Sequence, residues 1–151
     1  MTIWVDADAC PTEARDILIR AARLRGVQVR LVANRPMQEA THEKVDTILV
    51  SGGPDAADLR IAAEVASGDL VVTADVPLAA AVVDKGAVAL DPRGHVYDAQ
   101  TVGERLSMRD FLEDLRLAGE VTGGPRAYGP KDRQRFADAL DRWLTARGDV
   151  G

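Results

Sequence analysis

Met1-Thr-Ile-Trp-Val-Asp-Ala-Asp-Ala-Cys-Pro11 decides how the rest of the chain is read. Ile3-Trp4-Val5 is an unbroken apolar run with no polar alternation, which predicts a strand buried on both faces. Asp6 and Asp8 follow, two carboxylates separated by one small residue. Pro11 suits the first turn of a helix, where a missing N–H costs nothing. A buried strand therefore stops, delivers two acids and turns at once into a helix. In open α/β sheets the carboxyl ends of strands are where ligands bind, so partners of these acids are expected at the ends of the other strands.

The 151 residues suffice for one domain with a proper core, expected to span 1–151 with a core to about residue 100 and a helical cover over about 101–148. With 46% apolar and 28% charged residues the profile is that of a soluble globular protein. Nothing resembles a signal peptide, and no apolar run is long enough to span a bilayer, so no membrane association is expected. The lone Cys10 precludes an internal disulfide and agrees with a reducing, cytoplasmic location. A net charge of -5 argues against nucleic-acid binding through bulk positive charge. Residues 1–90 hold 9 Lys/Arg against 13 Asp/Glu, so the acidic excess lies mainly where the candidate acids lie.

Outward from the opening stretch, Ala14, Ile17, Leu18, Ala21 and Ala22 recur at helical spacing to Arg25, and Gly26 closes that helix. Val27–Ala33 predicts the second strand, Val45–Val50 the third, Leu70–Thr73 the fourth and Ala87–Leu90 the fifth. Helices are expected from about Asp55 to Ala66 and from Val76 to Lys85. This alternation predicts an α/β fold, a mostly parallel sheet of about five strands wrapped by helices. Asp91-Pro92-Arg93-Gly94 is a turn, and His95-Val96-Tyr97 can add a short edge strand. Two amphipathic helices, Thr101 to Gly119 and Lys131 to Arg147, are read as covers packed on the sheet, joined by a glycine-proline loop.

The acids fall at strand ends and helix starts. Asp6 and Asp8 end the first strand, Asp55 and Asp58 open the helix after the third, and Asp75 ends the fourth. If the first and fourth strands are neighbours, these groups meet at one edge. Two carboxylates 4 Å apart repel by roughly 4 kcal/mol at an effective dielectric of 20, so either some stay protonated or a cation joins them. An all-oxygen set suits Mg²⁺ or Mn²⁺. The competing reading is helix capping, which accounts well for Asp55 and less well for the Asp6/Asp8 pair. Cys10 precedes a helix, yet a lone small thiol is expected to pack as a hydrophobe, so no nucleophile is assigned. Thr73 can position a ligand or water beside Asp75. Arg93, Arg105, Arg109, Arg126, Lys131 and Arg133 flank turns and helix starts. Arg93 and Arg126 are the candidates for a phosphate, weighed against ordinary solvated loop charges.

Four segments in order, Asp6-Ala-Asp-Ala-Cys-Pro11, Gly68–Ala79, Asp91-Pro-Arg-Gly94 and Thr122-Gly-Gly-Pro125, closely resemble the YaiI/YqxD family of bacterial proteins. That family looks like a branch of the PIN-like nuclease superfamily. The resemblance implies a PIN-like three-layer sandwich with two C-terminal covering helices, and acids that bind Mg²⁺ or Mn²⁺ for phosphodiester hydrolysis. It maps Asp6, Asp58 and Asp75 onto the metal-binding acids. The glutamate usual in the intervening helix has only loose counterparts in Glu39 and Glu43, and Asp8 is taken as a substitute for it. The leading expectation is a metal-dependent nuclease acting on RNA, with Asp6, Asp8, Asp58 and Asp75 as its site. The alternatives are a non-catalytic RNA- or protein-binding module, and a phosphatase using Asp6 as nucleophile and Asp8 as acid/base, with Lys85 the only plausibly placed lysine.

Overall fold

The computed structural model describes residues 1–37, 42–53, 55–117 and 127–147. Six strands form one sheet: β1 (Thr2–Asp6), β2 (Gln28–Ala33), β3 (Val45–Leu49), β4 (Leu70–Val72), β5 (Val88–Leu90) and β6 (Val96–Tyr97), in the spatial order β3-β2-β1-β4-β5-β6. The first five run parallel, and β6 pairs antiparallel with β5, Ala89 opposite Tyr97. The helices are α1 (Thr12–Arg25), α2 (Ala56–Glu64), α3 (Val76–Asp84), α4 (Thr101–Leu117) and α5 (Pro130–Ala146).

Alternation along β1 sends its side chains to two cores. Ile3 and Val5 join Leu18 and Ala22 of α1 and Phe136, Leu140 and Leu144 of α5. Trp4 joins Ile61 of α2, Leu78 and Val82 of α3 and Val102 of α4. The result is a three-layer sandwich. The two C-terminal helices do not cover one face together. Helix α5 lies with α1 against one side of the sheet, whereas α4 packs on α3 on the other.

The path from β1 to α1 departs from the expected immediate turn. Residues Ala7–Ala9 form a single 3₁₀ turn, and the helix starts at Thr12, with Pro11 outside it in extended conformation. Proline disfavours the helical region in the residue before it, and Cys10 is accordingly extended. At its other end α1 stops as expected, at Gly26 in the left-handed region (φ 69°) with its N–H bonded to the Ala22 carbonyl.

One buried carboxylate fastens the amino edge of the sheet. Asp69 accepts from the Thr2 N–H at 3.0 Å, the Trp4 indole Nε1–H at 3.1 Å and the Ala66 N–H at 3.0 Å. It thereby ties β1, the segment after α2 and the start of β4. At the carboxyl edge the Asp91–Gly94 turn docks α5. Arg93 Nη1 reaches Asp132 Oδ2 at 2.9 Å, where Asp132 is fully buried, and the Tyr128 hydroxyl donates to the Pro92 carbonyl at 2.8 Å. Gly94 sits at φ 96°, and a Cβ there would lie 2.8 Å from the Arg135 carbonyl carbon, so this turn needs glycine for space as well as conformation.

Two stability outcomes follow. Asp69→Ala leaves the buried Trp4 indole N–H and two part-buried backbone N–H groups without their acceptor and is expected to cost about 2–4 kcal/mol in urea unfolding. Arg93→Ala removes the cation beside the buried Asp132 carboxylate, which keeps the Gly129 N–H at 3.0 Å, and is expected to cost about 3 kcal/mol; a change under about 0.5 kcal/mol would mean that the clamp on α5 contributes nothing.

Candidate functional site

The sheet order makes β1 and β4 direct neighbours, in the register Ile3 to Leu70, Trp4 to Val71 and Val5 to Val72. From β1 the chain builds β2 and β3 to one side, then crosses back to place β4 on the other. The crevice beyond the carboxyl ends of β1 and β4 is therefore a topological switch point, the place where open α/β sheets bind ligands.

Asp6 and Thr73 sit next in that register, just past the last paired residues. Thr73, itself 1% exposed, donates its hydroxyl to Asp6 Oδ2 at 3.1 Å and accepts the Asp75 N–H at 3.0 Å. Its polar atom is thus spent within the protein, and it positions both acids. Asp75 caps α3, its Oδ1 accepting the Leu78 N–H at 3.0 Å. Capping and clustering coexist in this side chain, since the cap occupies one carboxylate oxygen.

Asp58, in the first turn of α2, completes the group. It lies close enough to Asp6 and Asp75 for their charges to act on it. Burial raises the pKa of Asp58 first, the charges of Asp6 and Asp75 raise it further, and together they push it up to about 7. Burial also raises Asp6; the Thr73 hydroxyl opposes the rise, and Asp75 and Asp8 add to it. The crowding expected of strand-end acids is therefore realised for Asp6, Asp58 and Asp75, with a proton on Asp58 relieving it.

Asp8 is turned to the other side. Its Oδ2 accepts the Asn34 N–H at 2.6 Å and its Oδ1 lies 3.7 Å from Arg35 Nε, both just past β2. It is close enough to raise Asp6 but is held by different partners. Asn34 also donates its side-chain amide to the Gly53 carbonyl at 2.8 Å, linking the loops after β2 and β3. In the sequence Asn34-Arg35-Pro36 reads only as a break. Its place beside Asp8 follows from β2 being the parallel neighbour of β1.

The other candidates fall as follows. Arg93 is at the carboxyl edge, but its guanidinium holds Asp132 and lies 5.7 Å from the Tyr128 ring. Arg126, Glu39 and the Thr122–Pro125 segment lie outside the described residues. Glu43 precedes β3 at the amino edge of the sheet, opposite the acids, so it is no substitute for a missing glutamate. Lys85, which follows α3, is also at the amino edge, where Nζ donates to the Ala62 carbonyl. Burial pushes the Cys10 thiol up to about 12, so it is no thiolate at neutral pH.

The donors of this crevice are hard carboxylate oxygens, the chemistry that Mg²⁺ and Mn²⁺ prefer. Among the described residues no three His, Cys, Asp or Glu side chains already stand in metal-ligand geometry. With Asp58 pushed up to about 7, loss of its proton frees both its oxygens as donors. Among those residues, too, no helix is long and apolar enough to cross a membrane.

The family described as "Uncharacterized BCR, YaiI/YqxD family" matches residues 4–146. A UPF0178 protein of Xanthomonas oryzae pv. oryzae is 57% identical over 145 residues, covering 96% of this chain and 90% of the relative. One from Trichlorobacter lovleyi is 52% identical over 96% of this chain and 94% of its own, and one from Yersinia pestis 49% identical over 95% of each. No solved structure matches the chain significantly.

The raised pKa of Asp58 has a signed consequence. A carboxyl whose folded pKa exceeds its unfolded value favours the folded state below the unfolded value and loses that contribution as pH rises through the folded one. Melting temperature is expected to fall between pH 5 and pH 8, and Asp58→Asn to flatten that slope. An unchanged slope in the variant would place the titration elsewhere.

Proposed function

The chain belongs to the YaiI/YqxD family, and we propose that it is a divalent-metal-dependent, PIN-like nuclease hydrolysing phosphodiester bonds in RNA. The observation that carries this reading is the convergence of Asp6, Asp58 and Asp75, from three different elements, on the crevice at the β1/β4 switch point, with Asp58 pushed up to about 7. Acids held together against their own repulsion are characteristic of sites that act on charge. A folded protein needing only helix caps would not bring three of them together.

In this reading Asp6 is the fixed ligand, its oxygen aligned by Thr73. Asp75 offers the oxygen that its capping bond leaves over. Asp58 binds once its proton is released, so affinity for a cation rises with pH through about 7. A bound Mg²⁺ or Mn²⁺ supplies Lewis acidity for the addition of water at phosphorus. Asp8, set apart with Asn34 and Arg35, acts on the flank of the site. Arg35, with its side chain 78% exposed, and Arg126, which follows Thr122-Gly-Gly-Pro125 in the sequence, are the arginines assigned to the RNA backbone.

The lack, among the described residues, of three acids already in ligand geometry favours a second reading, an RNA- or protein-binding module without catalysis. The phosphatase reading has less support, because Lys85 lies at the opposite edge of the sheet from Asp6.

Calorimetric titration with Mn²⁺ separates the first two readings. The wild type is expected to bind at pH 8 and more weakly at pH 6. Asp6→Asn and Asp75→Asn are each expected to lose at least about tenfold in affinity, with Mn²⁺-dependent cleavage of single-stranded RNA lost in parallel. No binding by the wild type at millimolar Mn²⁺ would leave the binding module as the reading.

A further inference from the structure

A cavity of about 140 Å³ opens at the carboxyl edge of the sheet, lined by Glu13, Tyr128, Gly129, Pro130 and Arg133. Its walls come from the first turn of α1, which directly follows the Asp6–Pro11 segment, and from the start of α5. We propose that it is a subsite for a single nucleobase, selective for guanine, in the RNA strand threaded past Asp6. The proposal rests on the nuclease reading for its source of RNA, but not for the chemistry of the pocket itself.

The cavity, about 140 Å³, is too small for a drug-sized ligand and of a size for one planar base. Tyr128 lines it, fixed by its hydroxyl bond to the Pro92 carbonyl at 2.8 Å and by Arg93 at 5.7 Å from its ring centroid. A fixed aromatic wall is a stacking platform whose ordering cost is already met in folding. Its phenol is no acid at neutral pH, because burial pushes it up to about 12.

The two charged wall residues give the selectivity. Glu13 and Arg133 both line the cavity, and among the described residues neither is in an ion pair. An ionised carboxylate only accepts hydrogen bonds, through two oxygens side by side. Guanine presents two adjacent donors, N1–H and the N2 amino group, on its Watson–Crick edge. Adenine and cytosine set one donor beside a ring nitrogen acceptor, and uracil sets its single N–H between two carbonyls, so each of these meets the carboxylate with repulsion as well as attraction. Arg133 supplies the positive charge for the phosphate of the same nucleotide.

The test uses the full chain without added metal, so that it does not depend on the acid cluster. GMP, AMP, CMP and UMP are titrated by NMR or calorimetry, beside the RNA pentamers UUGUU and UUUUU. The wild type is expected to prefer GMP over UMP and UUGUU over UUUUU, each by about tenfold, as for one bidentate base contact. Glu13→Gln, an exposed change that should leave the melting temperature intact, is expected to abolish both preferences. Equal affinity for all four mononucleotides and both pentamers, or preferences that survive Glu13→Gln, would overturn the proposal even if Mn²⁺ binding is found. A Glu13-dependent preference for GMP without one for UUGUU would assign the pocket to free nucleotides and overturn its part in RNA selection. Guanine selectivity with no Mn²⁺ binding would uphold the pocket while the nuclease reading fails.

Discussion

The parallel register between β1 and β4 is the constraint on which the site depends. Three residue pairs, Ile3 with Leu70, Trp4 with Val71 and Val5 with Val72, bring Asp6 level with Thr73 across 67 positions of sequence. A slip of one residue would exchange the faces of every side chain in the strand. Trp4 would leave the core it shares with α2 and α3, and Asp6 would lose its hydroxyl partner. Asp69 secures this register at the amino edge by holding both the Trp4 indole and the Thr2 N–H, so a structural carboxylate at one end of the strands sets the placement of the clustered carboxylates at the other.

Those clustered acids illustrate how one fold treats similar groups differently. Asp69 is buried but surrounded by three donors, which satisfy its oxygens. Asp6 is as buried but has one hydroxyl donor, and burial, with the charges of Asp75 and Asp8, disfavours its charged form. Asp58 carries the relieving proton because burial, and then the charges of Asp6 and Asp75, push it up to about 7. Sequence marks all of these as aspartates near strand ends; only their neighbours separate a staple from a reactive cluster.

The Asp91–Gly94 turn shows where residue-level reading misassigns a role. Arg93 reads from the sequence as a loop arginine suited to phosphate. Its partner is Asp132, 39 residues later, and the pair fastens α5. The same contact fixes Tyr128, which turns an apparent connector into one wall of a cavity. Arg93 therefore serves the edge of the site through architecture.

What the sequence by itself determined is whatever depends on near neighbours in the chain. The apolar period of α1, its stop at Gly26, the run of short buried strands and the sixth strand at His95–Tyr97 all rest on contacts within a few residues. The acids at strand ends were legible for the same reason, as was their meeting, given adjacent first and fourth strands. The extended Cys10 before α1 needed only the rule for residues preceding proline, whereas the 3₁₀ turn over Ala7–Ala9 left no sign in the sequence. Tertiary structure alone decided which acids cluster, that Asp8 is drawn to Asn34 and Arg35, that Arg93 is a clamp, and that the last two helices part to opposite faces. Each of these is a pairing between segments distant in sequence, chosen by the order of strands in the sheet, and strand order leaves no periodic trace in the chain that forms it.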